Sequence, residues 1–171
     1  IDSGAAYVVE EGGVDSPILA TCAHPTEPAT LVTGLASGVV NIWDLSRERR
    51  ECVGTFNTDN KKPSSLVFVS DNVLAVAIDR SDTGGKSGAL SMIEIGAYEP
   101  IQNTSIGRQR KGQYRTMTVV KKVHNIGKGI IHNLKMTPDG KYLAASSADG
   151  SIYFFDTKEY EPAGSFVAIS G

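Results

Sequence analysis

The groups in this 171-residue chain that could carry chemistry are three histidines, two cysteines, a few close-set carboxylates and one strongly basic stretch. His24, His124 and His132 show no paired spacing of the H-x-x-x-H kind that would offer a metal two ligands from one element, so packing or surface roles are expected for them. Thr83-Gly84-Gly85-Lys86-Ser87 has the composition of a phosphate loop but not its G-x-x-x-x-G-K-[ST] spacing. No helical pattern follows it to offer an N-terminus, so it reads as an inter-strand loop. Glu10-Glu11 and Asp79/Asp82 fall in loop-like stretches and read as solvated charge. Cys22 and Cys52 sit in strand-like runs as reduced, buried thiols, and two cysteines argue against a disulfide-built secreted module. With no catalytic constellation, the chain is expected to be no enzyme and to need no metal, cofactor or small-molecule substrate.

The basic stretch is the strongest chemical signal. Between Pro100 and Pro138 there is no acidic residue, while Arg108, Arg110, Lys111, Arg115, Lys121, Lys122, Lys128 and Lys135 are all basic. Eight of the 17 Lys and Arg residues lie there, leaving nine against 19 Asp and Glu elsewhere, so a net charge of -2 conceals a bipolar chain. Arg108, Arg110, Lys111, Tyr114 and Arg115 gather guanidinium groups beside an aromatic ring, and Lys121 and Lys122 follow. Such a group suits bidentate contact with phosphates or an acidic peptide, so these seven are the candidate partner- or anion-binding residues.

The elements that must position these groups are strands. Composition is ordinary for a globular chain, 40% hydrophobic and 21% charged, and no apolar run approaches the ~18 residues a membrane span needs. Nor does a charged leader followed by an apolar run occur in it. Helical periodicity is scarce; short β-branched and aromatic runs alternate with Gly, Asp, Asn, Ser and Pro, the pattern of an all-β protein. Strands are expected over Pro17 to Ala23, Ala29 to Leu35, Val39 to Leu45 and Glu51 to Phe56, then Ser65 to Val69, Val73 to Ile78 and Ala89 to Ile95. The next strand falls either at Ile101 to Ile106 or at Met117 to Val123, and the alternation Thr116-Met117-Thr118-Val119 favours the second. Gly96 to Arg115 is then a basic excursion between strands. The last four are Ile130 to Met136, Lys141 to Ser146, Ser151 to Phe155 and Ala163 to Ile169. Thr137 to Gly140 is a turn, and Asp149-Gly150 suits a type I′ hairpin with both residues at positive φ.

These strands fall into repeats. Gly38-Val39-Val40-Asn41-Ile42-Trp43-Asp44 and Gly150-Ser151-Ile152-Tyr153-Phe154-Phe155-Asp156 match in spacing, with a looser copy at Gly88-Ala89-Leu90-Ser91-Met92-Ile93-Glu94. An offset of 112 residues superposes Leu31 on Leu143, Trp43 on Phe155 and Asp44 on Asp156. Repetition at this interval marks a modular architecture of small stacked units.

On these residues the chain resembles the WD-repeat family of β-propellers. Trp43-Asp44 closes a Gly-led strand as that family's repeats do. Leu143-Ala144-Ala145-Ser146 before Asp149-Gly150, and Met136-Thr137-Pro138-Asp139-Gly140-Lys141-Tyr142-Leu143, look like its strand junctions. The resemblance implies a partial β-propeller of four-stranded antiparallel blades over residues 17–57, 63–124 and 129–171, with 1–16 giving a strand to a neighbouring blade. Thr33, Trp43, Asp44, Asp149, Phe155 and Asp156 would be its structural blade residues. The family's intra-blade set of His, Ser/Thr, Trp and Asp is incomplete: Ser37 replaces the turn aspartate of the first unit, and the third has Phe155 and Ala145 for tryptophan and hydroxyl. His124 sits where the family's Gly-His often falls. Three units do not close a ring of four to eight, which suggests a piece of a longer chain or an arc completed by a partner.

The function implied is a non-enzymatic scaffold that docks other protein subunits within a multi-subunit assembly, inside the cell in cytoplasm or nucleus. The alternatives are a lactonase-like or quinoprotein-like propeller enzyme, or an arc that binds RNA or an acidic protein through the basic 108–128 segment.

Overall fold

The computed structural model describes residues 16–46, 51–79, 87–100 and 113–167, and these build three four-stranded antiparallel sheets with no helix among them. The first sheet is β1 (Ile18–Ala23), β2 (Thr30–Leu35), β3 (Val39–Asp44) and β4 (Glu51–Asn57) in that order. The second is β5 (Pro63–Ser70), β6 (Val73–Ile78), β7 (Gly88–Pro100) and β8 (Gln113–Ile126). The third is β9 (Ile131–Met136), β10 (Tyr142–Ser147), β11 (Ser151–Asp156) and β12 (Pro162–Val167). The all-β expectation and about three blades of a partial propeller are what the coordinates show.

Two cores join the sheets. Val32, Val40, Ile42 and Val53 of the first sheet pack on Leu66, Leu74, Val76, Ile78 and Ile93 of the second. Val73, Ala75, Ala77, Leu90 and Met92, from the opposite face of the second sheet, pack on Leu134, Leu143, Ala145 and Phe155 of the third. β6 therefore reads Val-Leu-Ala-Val-Ala-Ile without alternation and is buried throughout: successive side chains point to opposite faces, and both faces are covered. Hydroxyls stitch the neighbouring edge strands. Ser65 Oγ accepts from Leu134 N at 3.0 Å, and Ser64 Oγ donates to Ile131 O at 2.6 Å.

Several expectations are corrected. The fourth strand of the second sheet lies at the later of its two positions, but β7 and β8 are 13 and 14 residues long, against six to eight for the other strands. Gly96–Pro100 and Gln113–Arg115 are thus paired strand, with Tyr98 opposite Arg115 and Glu99 opposite Tyr114, and not a loop. At Asp149-Gly150 only Gly150 has positive φ (+83), and its N–H bonds Ser147 O at 3.1 Å. The connection is a turn closed by one left-handed glycine rather than type I′, and Gly38 repeats it with φ +84 and a 2.9 Å bond to Leu35 O. Cys22 is half-buried, and burial pushes its thiol up to about 12. Cys52, expected to be buried, is exposed on β4: it stands opposite Trp43 on the face turned away from the second sheet, while its neighbour Val53 points into the core. The strand expected within Gly4 to Gly13, the Thr83 to Lys86 stretch, Glu10, Glu11 and Asp82 lie outside the described residues.

Candidate functional site

Four of the seven residues proposed from the basic stretch lie on β8; Arg108, Arg110 and Lys111 fall outside the described residues. β8 is the outer strand of the middle sheet, so its side chains can reach both neighbouring sheets. Its register changes where Ile93 faces Val119 and Met92 faces Lys121, which leaves Val120 as a bulge. Lys121 then stands opposite Met92 on the side of the third sheet, while Lys122 stands opposite Ser91.

Each of these four groups meets a carboxylate. Arg115, 7% exposed, sends Nη1 to Glu27 Oε2 at 2.7 Å and Nε to Gly96 O at 2.8 Å, with its guanidinium 5.1 Å from the centre of the Tyr98 ring. Lys122 Nζ reaches Asp59 Oδ2 at 3.2 Å, in the connection between the first two sheets, and Lys121 bonds Glu161 of the third. Tyr114 OH donates to Glu99 Oε2 at 3.0 Å, and that carboxylate raises the phenol above its ordinary value. Burial pushes Glu27 upward, but hydrogen bonds from Thr30 and the Arg115 charge outweigh it and leave Glu27 below the usual range. The acid-free run in the sequence is therefore not an acid-free surface, because the carboxylates come from distant parts of the chain.

The seam at Glu27 holds a residue to which the sequence pointed only weakly. His24, 5% exposed, places Nε2 2.6 Å from Asp71 O across the first seam, and its Nδ1 accepts from Glu27 N at 3.0 Å and Thr26 N at 3.3 Å. Two N–H donors on Nδ1 fix the proton on Nε2, which donates to the carbonyl. The ring also lies 4.6 Å from Phe68. The available signal was a histidine between a strand and a proline, which is too common to single out.

Of the six blade residues, Asp44, Asp149 and Asp156 hold turns, Phe155 lies in a seam, and Thr33 and Trp43 lie on the face of the first sheet turned away from the second. Leu31 pairs with Trp43 and Thr33 with Asn41, so Thr33 and Trp43 are diagonal neighbours on one face, and the indole Nε1 donates to Thr33 Oγ1 at 2.9 Å. Asp44 Oδ1 accepts from Ser46 N at 2.9 Å; Asp156 accepts from Glu159 N at 2.7 Å, Lys158 N at 3.0 Å and Glu161 N at 3.1 Å. In the third sheet the acid at the end of the third strand thus holds the turn into the fourth. Phe155 is buried in the second core.

Asp149 likewise takes three hydrogen bonds, from Lys128 N at 2.8 Å, Ser151 N at 2.9 Å and the Tyr153 hydroxyl at 2.9 Å. Tyr153 stands directly opposite Ala145 in the ladder, so the hydroxyl missing from Ala145 is supplied from the adjacent strand. His124 is exposed on β8 and is not the donor that reaches Asp149; the backbone of Lys128 is. At the corresponding place in the first sheet, Ser37 Oγ is buried without a partner.

Burial pushes Asp149 up, yet the bonds from Lys128 N, Tyr153 and Ser151 N outweigh it and hold the carboxyl well below the usual range. Glu159 N does the same for Asp156, and the Thr137 hydroxyl for Asp139. A carboxylate whose folded value lies below its unfolded value of about 4 stabilises fully above that pH, and the contribution is lost as pH falls through the folded value. Asp149→Asn should therefore lower the melting temperature near neutrality and flatten its fall below about pH 4. A melting profile parallel to that of the parent chain across the acid range would contradict this role.

The sequence model of the WD domain, G-beta repeat family (WD40) matches residues 118–156. That stretch begins inside β8 of the second sheet and runs through β9, β10 and β11 of the third, so the sequence unit straddles a seam. A WD40 repeat matched at 118–156 lies within three four-stranded antiparallel sheets, an arrangement consistent with about three blades of a partial β-propeller.

Proposed function

We propose that the chain is a non-enzymatic scaffold that docks other protein subunits in a multi-subunit assembly inside the cell, with residues 17–57, 63–124 and 129–171 as its blades. WD40 repeats are protein-interaction scaffolds in general, and the observation that best supports that role here is how the turns are held. Asp44, Asp139, Asp149 and Asp156 each accept backbone N–H groups at a turn. Turns fixed in this way lose little conformational freedom when a partner docks on them.

Because Arg115, Lys121 and Lys122 meet Glu27, Glu161 and Asp59, the docking role assigned to the basic segment passes to Arg108, Arg110 and Lys111. The triple substitution of these three by Ala should remove captured partner subunits while leaving the melting temperature within a few degrees. Capture profiles identical to the parent's would end the proposal for this segment. A poly(U) probe separates the RNA reading: a steep fall of log affinity with log salt would favour nucleic acid, since each neutralised phosphate releases a counterion.

A further inference from the structure

His24 is the one histidine of the three that is buried; His124 and His132 are exposed on β8 and β9. It follows β1, and the chain after it folds back onto the ring. Nδ1 takes the N–H groups of Glu27 at 3.0 Å and Thr26 at 3.3 Å, while Nε2 reaches Asp71 O in the β5–β6 turn at 2.6 Å. Phe68 of β5 lies against the ring. The charged side chains on the elements packed round it are Glu27 in its own loop, Asp71 in the β5–β6 turn and Arg115 on β8. Glu27 Oε1 lies 3.9 Å from Nε2, and Oε2 takes the Thr30 hydroxyl at 2.8 Å and Arg115 Nη1 at 2.7 Å.

A neutral ring satisfies all of these contacts, and a charged one cannot. Nε2 already carries a hydrogen toward Asp71 O, so a second proton must go to Nδ1, where two N–H groups point. The Glu27 carboxylate would attract the added charge, but it sits beside Nε2 and is committed to Thr30 and Arg115. The loop must then turn Thr26 N and Glu27 N away, and the carboxylate moves with them. Arg115 passes this movement to the second sheet. It stands opposite Tyr98 in the outer part of the β7–β8 hairpin, followed by the pairs Glu99 with Tyr114 and Pro100 with Gln113.

We propose that neutral His24 is the catch of a pH-sensitive latch, which keeps Glu27 on Arg115 and so holds the outer part of the β7–β8 hairpin against the first sheet until the ring is protonated. The open latch takes up a proton for which the closed one has no place, so acidification favours opening. The latch is independent of whatever the basic segment docks, because it involves only the strands on either side of it.

The test is hydrogen exchange of the backbone amides around the Tyr98–Arg115 and Glu99–Tyr114 pairs in the 171-residue chain, corrected for the intrinsic effect of pH. Their protection should fall by about tenfold from about pH 7.5 to about pH 5.5, the linkage of one proton to an unconstrained histidine near 6.5. Amides of β10 and β11 should change little over the same range. His24→Gln, which retains His124 and His132, should show no such fall. Glu27→Gln should uncouple the hairpin, which then exchanges faster at both pH values without a further fall. Unchanged protection in the parent chain, an equal fall in His24→Gln, or an equal fall in β10 and β11 would overturn the latch. Should His24→Gln not fold, the imidazole nitrogen shifts of the parent decide: loss of hairpin protection in step with protonation is expected, and a charged His24 beside a protected hairpin would overturn it.

Discussion

Gly38→Ala is expected to destabilise the chain by about 3–5 kcal/mol, near the top of what single substitutions cost. Gly38 has φ +84, where an L side chain costs about 1–2 kcal/mol. A Cβ there would also lie 2.6 Å from the carbonyl carbon and Cα of Asn60 and 2.8 Å from Lys61 N. These are backbone atoms, and they cannot retreat. Thr58 N and Thr58 Oγ1 both bond Gly38 O, at 2.8 and 2.7 Å, and Asp59 and Asn60 are already at positive φ. Gly150, at φ +83 in the matching turn, has nothing within 4 Å of the same point, so Gly150→Ala should cost only the strain of about 1–2 kcal/mol. Urea unfolding of the two variants measures the difference. Equal losses would show that the approach of the β4–β5 connection to Gly38 carries no energy.

Trp43→Ala is expected to cost about 3–5 kcal/mol. The indole is 9% exposed, and its removal also strips Thr33, itself buried, of the donor on its hydroxyl. Trp43 belongs to the face of the first sheet turned away from Ile42 and the second sheet, so the loss would register there and not in either seam. Trp43→Phe separates the two contributions: it keeps most of the apolar surface and forfeits the hydrogen bond, worth about 1 kcal/mol. A loss below about 1 kcal/mol for the alanine variant would mean that the ring is not packed.

Much of the fold was legible because strands announce themselves locally. Period-two alternation and Gly or Asp at turns located β1, β2, β3, β9, β10 and β11 to within a residue or two, since those strands are short hairpins whose signals lie within a few positions of one another. The long β7–β8 hairpin was harder to read. Gly96, Glu99 and Pro100 look like loop residues, and it is the pairing of Tyr98 with Arg115, Glu99 with Tyr114 and Pro100 with Gln113, backed by Glu27 from the neighbouring sheet, that keeps the stretch extended. Type I′ chemistry at Asp149-Gly150 misled for a similar reason. Asp149 tolerates positive φ, but its carboxylate is committed to Lys128 N and Tyr153, and the glycine alone takes the left-handed position.

The candidate site divides along the same line. By itself the sequence determined the repeated phrase, the strand content and the crowding of positive charge between Arg108 and Lys135, because these depend on which residues are neighbours along the chain. Only the tertiary structure decided that Arg115, Lys121 and Lys122 meet Glu27, Glu161 and Asp59, and that His24 closes the first seam onto Asp71. Those partners lie 40 to 88 positions away. Coulomb attraction and hydrogen bonding act through space at a few ångströms, so they follow the stacking of the sheets and not the order of the residues.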